Sequence, residues 1–137
     1  MTDALENIEV IIALESMSIA LACERAKDSE LAKIESLHEK MRKCSEKNDV
    51  ENYYQLNNAV HTAIVHASGN SAMIQRHITR LQNLSGALQE ITSESLAEHD
   101  RFVKALLERD AEKAAEELRA HLSITAEKIR LRILQSE

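Results

Sequence analysis

The sequence predicts an all-α protein, an antiparallel bundle of about six helices, and three observations carry that prediction. The chain contains no proline, two glycines and only three aromatic residues among 137. Good helix formers, above all Ala, Leu and Glu, dominate, and β-branched residues are scattered rather than clustered. Apolar residues recur at three- and four-residue spacing, and short polar breaks fall where that rhythm lapses. The length suits one domain with a real core, taken as residues 1–137.

Charge and composition exclude several functions. A formal net charge of −6 argues against direct nucleic-acid contact, which needs a basic face, and Arg130 and Arg132 are too few to reverse it. Cys23 and Cys44 sit within helical patterns and read as small buried residues of a reducing compartment. No apolar run spans a bilayer, and Asp3 and Glu6 precede the first apolar run, unlike a signal peptide. The expected location is cytoplasmic.

The elements follow in order. The first helix starts at Thr2 or Asp3, either of which can cap it, and runs to about Ala26. Its apolar residues, among them Ile8, Ile11, Ile12, Ile19 and Ala22, cover more than one stripe, which suits a helix buried on several sides or one meeting a partner chain. Lys27 to Glu30 breaks the pattern. The second helix, about Glu30 to Ser45, carries Leu31, Ile34, Leu37 and Met41 on one narrow stripe and reads as a surface helix. Asp49 caps the third helix, about Val50 to Ala67, and Gly69 supplies a left-handed stop. Ser71 opens the fourth, whose seam includes Met73, Ile74, Ile78, Leu81, Leu84, Leu88 and Ile91. Ser85-Gly86 within it reads as a tolerated weak point, costing about 1 kcal/mol relative to Ala. Ser95-Leu96-Ala97-Glu98 is a capping box opening the fifth helix, to about Glu108. Asp110 caps the sixth, about Ala111 to Leu134. Short links between six helices give an antiparallel bundle.

Asn57 and His61, four residues apart, lie one above the other on the third helix, on the side of Val60 and Ile64. An inward polar pair costs free energy unless something satisfies it, and a metal ion is one way. His99 and His121 lie on two further helices with apolar residues at helical spacing beside them. Three imidazoles with an oxygen donor and an open position suit Zn²⁺, Ni²⁺ or another divalent transition ion. The commoner explanation of a single inward histidine is a hydrogen bond. His38 closes a Glu35-x-x-His38 pair without a second copy and is expected in solvent. His66, near the helix end at Gly69, suits the helix dipole at the surface. His77 is a seam residue, hydrogen-bonded or in contact with a ligand.

These motifs together resemble the FCD domain, the effector-binding C-terminal domain of a branch of GntR-type bacterial transcription regulators. Leu14-Glu15 with Ala20 to Ala26 is similar to its opening helix. Asn57-x-x-Val60-His61 is similar to its Asp-x-x-Phe-His motif, and Ala67-Ser68-Gly69-Asn70 to the turn that follows. Ser95-Leu96-Ala97-Glu98-His99 is similar to its Ser-x-x-Glu-His helix, and Asp110 to Ala115, ending in His121-Leu122, to its final helix. The resemblance implies a buried metal held by Asn57, His61, His99 and His121, with Asn57 standing where the family carries Asp. It also implies a small organic acid as effector and a homodimer. Ile11 replaces an arginine common in the family, and His77, Arg80 and Asn83 are named as ligand-binding candidates in its place. Family members carry a winged-helix DNA-binding domain before this one. The first motif lies close to Met1, so that domain is expected to be absent, and any contact with DNA passes through it.

Two rivals stand beside the sensing domain. One is a helical dimerisation module without metal, its histidines satisfied by hydrogen bonds. The other is a metal-dependent hydrolase, which needs a general base at the open position. Glu98, the neighbour of His99, points away from it along a helix, so no enzyme is expected.

Overall fold

The computed structural model describes residues 3–82 and 96–136, and the described residues form six α-helices. They are α1 (Asp3–Arg25), α2 (Asp28–Glu46), α3 (Val50–Ala67), α4 (Ser71–Gln82), α5 (Leu96–Leu107) and α6 (Ala111–Ser136). The helices expected from the sequence are present, with ends shifted by one or two residues. Ser85-Gly86, the distal part of the fourth helix and the Ser95 cap lie outside the described residues.

Local signals set the boundaries. The Asp49 carboxylate accepts from the Asn52 amide at the start of α3, and Asp110 accepts from Lys113 N–H at the start of α6. Glu30 accepts the Lys27 amide at 2.9 Å where α2 begins. Gly69 (φ 68°) closes α3 in the left-handed region. Asn48 and Arg109 take the same conformation after α2 and α5. Arg109 then reaches back to the exposed end of α1, donating to the carbonyls of Cys23 at 3.0 Å and Ala26 at 2.8 Å. Its guanidinium satisfies carbonyls that the helix end leaves without partners.

The bundle packs α1 chiefly against α6 and α3, α2 against α3 and α5, and α5 against α6. Ile19, Ile34, Met41, Ile64, Phe102, Leu106 and Leu118 fill the main core. A smaller cluster of Ile8, Ile11 and Ile129 forms where α1 meets α6. The broad apolar coverage of α1 is thus explained in part by two clusters on one helix. Cys23 is buried and Cys44 only half-buried, and both are free thiols. Among the described residues, no helix is long and apolar enough to cross a membrane.

The sequence reading of His38 is corrected. It is buried, and its ring donates through Nε2 to Asp100 Oδ1 at 2.6 Å, an oxygen that also takes the Arg42 guanidinium. His38 continues the spacing of Leu31, Ile34 and Met41, and α2 lays that whole stripe on α3 and α5. Helix α2 is therefore a surface helix with one polar residue drawn into the core.

Candidate metal centre

Three helices bring three imidazoles together. His61 comes from the middle of α3, His99 from the first turn of α5 and His121 from the middle of α6. One nitrogen from each lies within 4.8 Å of the others, and all three residues are buried. Ring centroids are 5.0 Å apart for His61 and His99, 4.7 Å for His99 and His121, and 5.7 Å for His61 and His121. Phe102, one turn along α5 from His99, packs against all three rings and walls the group off with an apolar surface.

Two carboxylates orient these rings. Glu15 on α1 accepts from His61 Nδ1 with one oxygen and from His77 Nε2 at 2.7 Å with the other. Glu98 accepts from His121 Nδ1 at 2.6 Å. An ionised carboxylate only accepts, so each of these Nδ1 atoms carries the proton. Nε2 of His61 and of His121 is then left as a bare lone pair. This carboxylate–imidazole pairing is the arrangement that fixes ring orientation at metal-binding histidines.

The His121 lone pair has no protein partner. His121 Nε2, both nitrogens of His99 and Asn57 Oδ1 are buried without a hydrogen bond. Leaving such groups unsatisfied costs on the order of 1–3 kcal/mol each. Burial, joined by the like charge of His61, His121 and His38, holds the His99 pKa well below that of free histidine. Burial and His61 also lower that of His121, against the pull of Glu98. Burial alone raises the Glu15 pKa, but the charges and hydrogen bonds of His61 and His77 outweigh it and leave the carboxylate ionised. Neutral imidazole is the form that binds metal. The donor set, three imidazole nitrogens and one amide oxygen, fits a divalent transition ion. Nitrogens sharing one tetrahedral ion lie about 3.4 Å apart, so the three rings have to draw together to share it.

Beside the imidazoles lies a cavity of about 40 Å³. Asn57, His61 and His121 line it together with the apolar side chains of Ile8, Ile12 and Leu81.

The structure thus brings together the three histidines named as metal ligands from the sequence, and Asn57 lines the same cavity as His61 and His121. Asn57 lies on α3 four residues before His61, its amide oxygen buried. His77 and Arg80 do not line the cavity. His77 is bound to Glu15, and Arg80 donates to Asn7 Oδ1 at 3.1 Å. Asn83 lies outside the described residues. His66 is exposed, as its place at the end of α3 suggested. Two residues of the site had no such role in the sequence reading, Glu15 and, as a partner of His121, Glu98. Glu15 left a signal, a single acid on the α1 stripe of Ile8, Ile11, Ile12, Ile19 and Ala22.

A family model described as the FCD domain matches residues 6–123. The chain belongs to the FCD domain family. Two solved structures share its fold. One is Streptococcus agalactiae GntR, with a TM-score of 0.77 and 20% identity, covering 93% of this chain and 61% of that one. The other is E. coli McbR/YncC, with a TM-score of 0.68 and 23% identity, covering 96% of this chain and 65% of that one. This FCD domain therefore spans less than two thirds of the length of either neighbour. No curated protein matches its sequence.

Proposed function

We propose that this FCD domain is the effector-sensing part of a GntR-type transcription regulator. It binds a divalent transition metal, Zn²⁺ or Ni²⁺, through His61, His99, His121 and Asn57, and a small organic acid in the adjoining cavity. A bound ion supplies positive charge and open coordination positions for carboxylate oxygens. The rest is done by this chain's own residues. Glu15 and Glu98 hold two imidazoles in the metal-binding tautomer, and Phe102 keeps water from one side. The three rings stand on α3, α5 and α6, so a ligand drawn to them acts on the packing of three helices at once. Control of attached DNA-binding domains then requires the ligand to favour one packing over another.

The observation that carries this reading is the buried group of three imidazoles, in which His99 and His121, like the Asn57 amide beside His61 at the cavity, hold donor atoms without a partner. A helical dimerisation module whose histidines are satisfied by hydrogen bonds leaves those atoms unexplained. A hydrolase needs a free general base, and Glu98 is engaged in holding His121. A homodimer is part of the same proposal, with exposed Met17 on α1 and Ile124 and Leu131 on α6 as candidates for its interface.

The test is metal content by plasma mass spectrometry on untagged protein purified without chelator, beside His61→Ala. Near-stoichiometric Zn or Ni in the wild type, absent from the variant, supports the reading. An empty wild type that stays empty after incubation with either ion overturns it.

A further inference from the structure

The cavity limits what the effector can be. Its room, about 40 Å³, matches that of roughly three water molecules. Ile8, Ile11, Ile12, Leu81 and Leu122 are its apolar lining, and among the described residues no lysine or arginine lines it. Arg80, the cation nearest in sequence to Leu81, spends a guanidinium nitrogen on Asn7 instead. The acid that does line the cavity, Glu15, has both oxygens taken by His61 and His77 and adds negative charge. The polar lining besides Glu15 is Asn57, Asn58, His61, His121 and Thr125, whose hydroxyl already donates to the His121 carbonyl, and the metal centre at His61 and His121 is the place for positive charge. An organic acid can therefore place one carboxylate there. A second carboxylate on the same molecule would be buried without a cation to pair with, near the negative charge of Glu15.

We propose that the ligand of this cavity is a short-chain aliphatic monocarboxylate, in the range from acetate to butyrate, rather than a di- or tricarboxylate. Its carboxylate lies on the side of His61, His121 and Asn57, and its alkyl chain lies along the Ile8–Ile12 face of α1. This rests on the organic-acid reading above and narrows it to a chemical class.

The test is calorimetric titration of the whole 137-residue chain, after its metal content has been measured, with acetate, propionate, butyrate and succinate at constant ionic strength. Affinity is expected to rise about fourfold per added methylene until the cavity is full. Succinate is expected to bind at least tenfold more weakly than butyrate. Leu81→Ala, at a half-buried position, should move the best chain length upward. Succinate binding as tightly as butyrate, or affinity falling from acetate to butyrate, overturns the proposal. The two readings fail separately. Protein that holds metal but takes no monocarboxylate keeps the metal centre and loses this inference. Protein that holds no metal yet still prefers butyrate to succinate keeps the inference and loses the metal. Protein that binds neither loses both.

Discussion

His77 and His99 are equally withdrawn from water, at 1% and 0% exposure, and they differ in everything else that matters. His77 donates to a carboxylate that it shares with His61. His99 faces two other imidazoles and a phenyl ring, and neither of its nitrogens has a partner. One is a buried polar residue made comfortable by the fold, and the other is left waiting for something the fold does not provide. Burial of a histidine is thus a poor guide to ligation. An orphaned lone pair aimed at other orphaned lone pairs is a better one.

The largest effect should come from exchanging these two residues for neutral ones. His99→Ala is expected to abolish metal binding, a loss beyond the ~10–100-fold that removal of an outer-shell partner brings. His77→Gln should retain a full equivalent of metal. Equal losses in both variants, read by metal content and by titration with Zn²⁺ or Ni²⁺, would erase the distinction. Glu15→Gln comes next, because that carboxylate serves both regions at once. It should weaken metal binding by about 10–100-fold and lower stability, seen as a fall in Tm of the metal-free protein. Glu98→Gln acts on His121, at a more exposed carboxylate, and should cost less. A larger effect from Glu98 than from Glu15 would put the centre of the site elsewhere.

How much of this was legible in the sequence depends on how local the signal was. Helix α3 came out with its observed ends because Asp49 and Gly69 cap it from within the same short stretch. His38 was misread because its burial depends on α2 lying on α5, 62 residues away at the Asp100 contact. Glu15 was passed over for the same reason. Its meaning comes from His61 and His77, 46 and 62 positions along the chain. The residues alone paired Asn57 with His61 and put His99 and His121 on two further helices, and the resemblance of the motifs joined the four as one site. Neither route could show that Arg80 turns to Asn7, which is a matter of how α1 meets α4.

Asn57 sharpens the comparison from the side of the metal. Asn57→Asp adds a negative charge to a donor set that has none, so affinity should rise, by about tenfold or more, and most for harder ions such as Mn²⁺. The metal-free variant should be less stable than the wild type, since it buries a carboxylate without a partner. Titration and thermal unfolding, with and without ion, check both signs.

The smallest effect is on pH. In the metal-free protein His99 and His121 have pKa values lowered from 6.5, mainly by burial. Below that value the unfolded chain binds protons that the folded chain refuses, so stability should fall as pH drops below 6.5. Ionised Glu15, with its lowered pKa, adds a loss in the same direction at more acid pH. His99→Leu should flatten the fall below pH 6.5, and a Tm series in steps of half a pH unit measures it.

The most direct test is crystallography of the protein soaked or grown with Zn²⁺, with data collected at the zinc absorption edge. The account predicts one strong internal anomalous peak, about 2.0–2.1 Å from nitrogens of His61, His99 and His121, and bordered by Asn57. An empty centre in crystals that carry zinc elsewhere, for example at exposed His66, would contradict it.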